Sequence, residues 1–161
     1  MSETETQQEI VIVRRVQAPR ELVWNIWTDP KHVAAWWGPF GPDATTCEID
    51  VRVGGVYCVV MRAPDGSEHP ARGIIKELEA FRKIIIEGDP GAPDMCGAGL
   101  PPKALITVLF EDEGPDTKVT LSALFQTEEA KNGAIAGGYD VSWTQTFDAL
   151  DAYYKRILAN Q

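Results

Sequence analysis

The sequence predicts an α+β fold in which a curved antiparallel sheet wraps a long helix at the carboxyl end. Three observations carry this. Residues 139–158 set Trp143, Phe147, Leu150, Tyr154, Ile157 and Leu158 at helical spacing, which makes one broad apolar stripe on a helix of about five turns. Residues 45–126 read instead as strands separated by short turns, and strands so joined pair antiparallel. A β-branched strand and two short helices precede them. Burying each side chain of the stripe favours folding by roughly 1.5–3 kcal/mol, an upper bound, so the helix needs a large apolar partner surface. The sheet supplies it.

Taken in order, residues 10–16 form the first strand, β-branched and apolar on both faces. Ala18-Pro19 starts a short helix with Pro in the first turn, where its missing N–H costs nothing. Leu22, Val23, Ile26 and Trp27 form its inward stripe. Thr28-Asp29-Pro30 ends it and caps a second short helix over 31–37, which stops at Gly38-Pro39. Residues 45–52 and 56–62 flank Gly54-Gly55 as a hairpin. A three-residue loop, 53–55, sets Ile49 and Val51 on one face with Tyr57, Val59 and Met61, and gives Gly55 the left-handed bulge position. Pro64-Asp65-Gly66 is a turn. Strands follow at 71–79, 83–88, 104–111 and 118–126. Thr127 is placed to N-cap a helical turn, and Gly133, Gly137 and Gly138 predict a break before the last helix becomes regular. Lys155 and Arg156 complement the dipole at its end.

With 161 residues, the chain reads as a frayed lead-in, 1–9, and one domain, 10–161. The net charge is −9 with Lys and Arg scattered, which excludes a nucleic-acid footprint and disfavours an anionic membrane surface. No apolar run approaches the roughly 18 residues of a membrane span, and the acidic start is unlike a signal peptide. Cys47, Cys58 and Cys96, odd in number and without metal-type spacing, read as reduced cytoplasmic thiols.

The local runs narrow the reading. Ala18-Pro19-Arg20-Glu21-Leu22-Val23-Trp24, Trp27-Thr28-Asp29-Pro30, Trp36-Trp37-Gly38-Pro39, Glu48-Ile49-Asp50-Val51-Arg52 with Gly54-Gly55, and Met61-Arg62 with Pro64-Asp65-Gly66 resemble the heat-shock protein 90 ATPase activator-like family. That family sits in the START/SRPBCC superfamily, which includes the birch-pollen allergen. The resemblance runs over residues 10–158. It implies the helix-grip fold, in the order strand, two helices, six strands, helix. It also implies an apolar cavity between sheet and helix that takes a small hydrophobic ligand, and bacterial members that are free-standing domains.

The candidate ligand-binding residues are Trp36, Trp37, Phe40, Tyr57, Met61, Met95, Phe110, Tyr139, Trp143 and Phe147. Trp36 and Trp37 are adjacent and cannot share one core position, so either one packs while the other lies with Phe40 at the mouth, or both staple the second helix to the sheet. Tyr139, Trp143 and Phe147 face the sheet, opposite Tyr57, Met61, Ile106, Val108 and Phe110. The Gly- and Pro-rich stretch 89–102 reads as a lid, with Met95 as an adaptable contact. His32, in an exposed-looking turn, and His69 have no accompanying metal or nucleophile pattern. Glu48, Asp50, Glu68, Arg72 and Glu77 are either solvated outer charges or a charged pair beside the cavity. Gly91, Gly97 and Gly99 lack phosphate-loop spacing, and no cofactor motif is present. The expected function is binding a small hydrophobic molecule. The alternatives are a co-chaperone-like partner of a heat-shock protein 90 homologue and a cavity enzyme of cyclase or lyase type, for which no catalytic residue stands out. A homodimer through sheet edges fits strand 10–16.

Overall fold

The computed structural model describes residues 9–36, 45–88, 104–136 and 139–159. Strand β1 (Glu9–Val16) leads into helices α1 (Arg20–Thr28) and α2 (Pro30–Trp36). Strands β2 (Thr45–Ile49), β3 (Val56–Arg62), β4 (Glu68–Glu79), β5 (Lys83–Gly88), β6 (Leu105–Glu113) and β7 (Asp116–Leu124) follow. Helices α3 (Glu128–Ala136) and α4 (Tyr139–Ala159) complete the order. The seven strands form one curled antiparallel sheet in the order β1-β7-β6-β5-β4-β3-β2. Every strand from β2 to β7 pairs antiparallel with its chain neighbour, β5 and β6 doing so across a long connection, and β1 closes against β7.

Strand alternation decides what faces α4. Tyr57, Val59 and Met61 of β3, Ile84 and Ile86 of β5, Ile106, Val108 and Phe110 of β6, and Val119, Leu121 and Ala123 of β7 are all buried. On α4, Trp143, Phe147, Leu150 and Tyr154 are buried as the stripe requires, while Ile157 and Leu158 are only partly covered. The extra residue at the shift between Ile75 and Glu77 bends β4, a bulge of the kind that lets a sheet curl.

The β2–β3 hairpin keeps the expected parity, since Ile49 pairs with Tyr57 and Cys47 with Val59. The loop is longer than expected, however. Strand β2 ends at Ile49, and Val51 is exposed rather than on the inner face. The glycines also exchange roles. Gly54 holds the left-handed backbone at φ 86°, whereas a Cβ on Gly55 would overlap the Asp50 carbonyl oxygen. Both glycines are tied to β4, the Gly54 N–H donating to the Ile75 carbonyl and the Ile75 N–H to that of Gly55.

Helix α1 begins after Pro19, which is the N-cap rather than a first-turn residue. Its buried set includes Trp24, beyond the expected stripe. Asp29 accepts the Lys31 N–H at 2.9 Å and so caps α2, which ends at Trp36. Thr127 caps α3 through its hydroxyl, which accepts the Ala130 N–H at 3.0 Å. Helix α3 has no buried residue, and the break expected at Gly137 and Gly138 lies outside the described residues. No described helix is long and apolar enough to cross a membrane.

Candidate functional site

The interior is organised around Trp27. Its indole lies parallel to that of Trp143, with centroids 6.2 Å apart and planes 10° apart. Trp36 at 4.8 Å, Phe147 at 5.9 Å and Phe110 at 6.1 Å complete the ring cluster. The polar handles of Trp27, Tyr57 and Trp36 are spent inside the protein. The Trp27 Nε1–H donates to the Tyr154 hydroxyl at 3.0 Å, and the Tyr57 hydroxyl donates to the Trp27 carbonyl at 2.7 Å. The Trp36 Nε1–H donates to the Ile26 carbonyl at 3.0 Å. Burial pushes the Tyr57 and Tyr154 phenols well above their ordinary pKa, so both stay neutral at any physiological pH.

Between this cluster and the sheet lies a cavity walled by Trp27, Tyr57, Ile84, Ile86, Ile106, Val108, Leu121 and Trp143, with only apolar surface exposed to it. The ligand-sized hollow expected here is not open. The space available to the centre of a water-sized sphere is about 10 Å³, roughly one water, against the few hundred Å³ of a typical ligand site. Large side chains account for the difference, since Trp143, Tyr57, Phe110 and Phe147 are each at most 1% exposed.

Of the ten candidates, Tyr57 and Trp143 line the cavity, and Trp36, Phe110 and Phe147 belong to the ring cluster around it. Met61 is buried on the inner face of β3. Trp37, Phe40 and Met95 lie outside the described residues, as does the stretch 89–102, and Tyr139 is described only as the start of α4. Sequence reasoning missed Trp27, Ile84, Ile86 and Leu121 as cavity walls. Their alternation on strands and helix was visible, but nothing marked which apolar residues border a void.

Charges behave mostly as outer-face groups. Asp50 pairs with Arg52 at 2.6 Å, Glu68 with Arg62 at 3.2 Å and Glu77 with Lys83 at 3.0 Å, all at the surface. Arg14 is the exception. Strand parity turns it inward with Ile10, Ile12 and Val16, where its guanidinium lies 5.5 Å from the Phe147 ring centroid. It donates to Asp151 at 2.6 Å and Asp148 at 3.0 Å, tying β1 to α4. His32 departs from expectation too. It sits half-buried in α2, with Nδ1 2.6 Å from the Tyr153 hydroxyl.

The geometry matches known proteins. The model of the family described as "Activator of Hsp90 ATPase homolog 1-like protein" matches residues 17–155. The chain belongs to that family. Its fold is shared with a crystal structure of a protein from Nitrosomonas europaea, 21% identical, with a TM-score of 0.79 and coverage of 97% of this chain and 99% of that one. A protein from Mycobacterium smegmatis is 20% identical over 94% of this chain and 93% of its own, with a TM-score of 0.78. An AHSA1-like protein from Aeromonas hydrophila, solved by NMR, is 21% identical over 88% and 93%, with a TM-score of 0.62. A comparison with curated proteins finds no match. Family members share the START/SRPBCC type of helix-grip architecture seen here.

Proposed function

We propose that the protein binds a small apolar molecule, of the size of one aromatic ring system, between the concave face of the sheet and α4. The observation that carries this is the wall of the cavity: residues from α1, β3, β5, β6, β7 and α4 converge on one space and present no polar surface to it. Such a space does not hold water well, because water there finds no hydrogen-bond partner. The ligand opens the site by moving the side chains that fill it, a minor state made dominant by binding. Indole titrated against protein labelled at isoleucine methyls tests the reading. Saturable shifts at Ile84, Ile86 and Ile106 are expected, and silence across a series of apolar probes from benzene to naphthalene overturns it.

A second reading, action on an Hsp90-type chaperone, is favoured by the family match over residues 17–155. It predicts that adding the protein changes the chaperone's ATPase rate. An unchanged rate, with no complex on gel filtration, removes it.

A further inference from the structure

Outside the cavity, a second space opens between the end of β1, the start of β7 and the last turns of α4. This groove, of about 520 Å³, is lined by Arg15, Gln17, Asp116, Asp151, Tyr154 and Lys155. Its size falls within the range of small-molecule sites. Its chemistry is set by which charges are already engaged. Asp151 accepts from Arg14 at 2.6 Å, and Asp116 accepts from Arg15 Nε at 3.0 Å. Glu113, also 3.6 Å from Arg15 Nε, and Asp148, bound to Arg14, do not line the groove. Lys155 has no ion-pair partner among the described residues, and Arg15 hydrogen-bonds through Nε alone. Lys155 and Arg15 are thus the two cations among the lining residues, the side-chain types that hold an oxyanion.

One hydrogen bond links a residue of the groove to a residue of the apolar cavity. Tyr154 lines the groove, Trp27 lines the cavity, and the two are joined by the 3.0 Å hydrogen bond between them. Resting on the apolar-ligand reading above, we infer that the natural ligand is amphipathic: a carboxylate that stays in the groove on Lys155 and Arg15, carrying an aryl or alkyl tail that parts Trp27 from Tyr154 and fills the cavity. The mixed character of the two spaces then sets specificity. The tail is selected by apolar fit, and the head by two donors that an uncharged group satisfies less well.

The test uses ω-phenyl carboxylates of increasing chain length, each beside its primary amide, titrated against the full chain with isoleucine methyl and backbone amide signals read together. The expected result is that acids bind on the order of two- to fivefold more tightly than amides at low salt, the range of a partly solvated ion pair. Signals of Ile84, Ile86 and Ile106 should move with those of Gln17 and Lys155. The preference should collapse towards one in Lys155→Gln and in Arg15→Gln, both exposed positions where folding is not at stake. Equal affinity of acids and amides overturns the inference while leaving the apolar reading standing. Acids that move only the groove signals also overturn it. If neither series moves the isoleucine methyls, both readings fall together.

Discussion

Trp27 and Tyr154, 127 residues apart in the chain, meet through a 3.0 Å hydrogen bond in which the indole N–H donates to the phenol. Both side chains are buried, at 3% and 2% exposure, so water cannot replace either partner. Replacing Tyr154 by Phe strands a buried donor. The expected cost is about 1–3 kcal/mol, read as a lower urea midpoint with an unchanged slope.

The inward arginine makes a different prediction. Burial alone would lower the Arg14 pKa, but its hydrogen bonds to Asp151 and Asp148 outweigh that and raise it, so the guanidinium is charged throughout the accessible pH range. Arg14→Met keeps an apolar stem over Phe147 and removes the charge. The loss should be on the order of 1 kcal/mol at low salt, since Asp148 is well exposed, and should shrink as salt is added to the wild type.

Alkaline pH should destabilise the fold in two stages. Burial first, and the neighbouring Cys58 second, raise the Cys47 thiol from 9.0 to about 11. Burial likewise raises Tyr57, Tyr153 and Tyr154. Each group has a folded pKa above its unfolded one, so its contribution is complete below the unfolded pKa and is lost as pH rises beyond it, where only the unfolded chain releases the proton. Stability should fall from near pH 9, then more steeply above about pH 10, by about 1.4 kcal/mol per pH unit for each group involved. Guanidinium midpoints between pH 7 and 11 measure it. Cys47→Ser should delay the first stage. The same elevated thiol pKa predicts slow alkylation of Cys47 by iodoacetamide near neutrality.

The two hairpin glycines should respond unequally to alanine. At Gly54 the added methyl meets open space, and the cost is that of the left-handed backbone, about 1–2 kcal/mol. At Gly55 it meets the Asp50 carbonyl and also lies 3.0 Å from the Arg52 oxygen, so the hairpin must distort and release its bonds to Ile75. Thermal melts of the two variants should show Gly55→Ala clearly the less stable.

Much of this fold was legible because it depends on periodicity. The spacing of Trp143, Phe147, Leu150 and Tyr154 foretold the buried face of α4, and the parity of the glycine loop foretold that Ile49 faces Tyr57. Thr127 announced its cap. What escaped depended on distance. Nothing local to Asp148 and Asp151 tells that Arg14 reaches them from 134 and 137 residues away. The Nδ1 of His32 finds Tyr153 in the same way. Phe81 was equally hidden. It takes φ 66° at the β4–β5 turn, where its ring rests 5.9 Å from Trp24, and no glycine marks the spot. The size of the interior space was beyond periodicity altogether, because an alternating pattern names the wall residues and leaves their packing unspecified.

The closing of β1 against β7 has a consequence for how the molecule is made. Strand β1 emerges first from the ribosome, yet its sheet partner and the helix that Arg14 grips come more than 100 residues later. The strands from β2 to β6 can pair in order as they appear, whereas the opening segment must wait, unpaired, until β7 has been made. Nascent chains stalled before residue 116 should therefore leave β1 open to proteolysis even where the central hairpins are already protected.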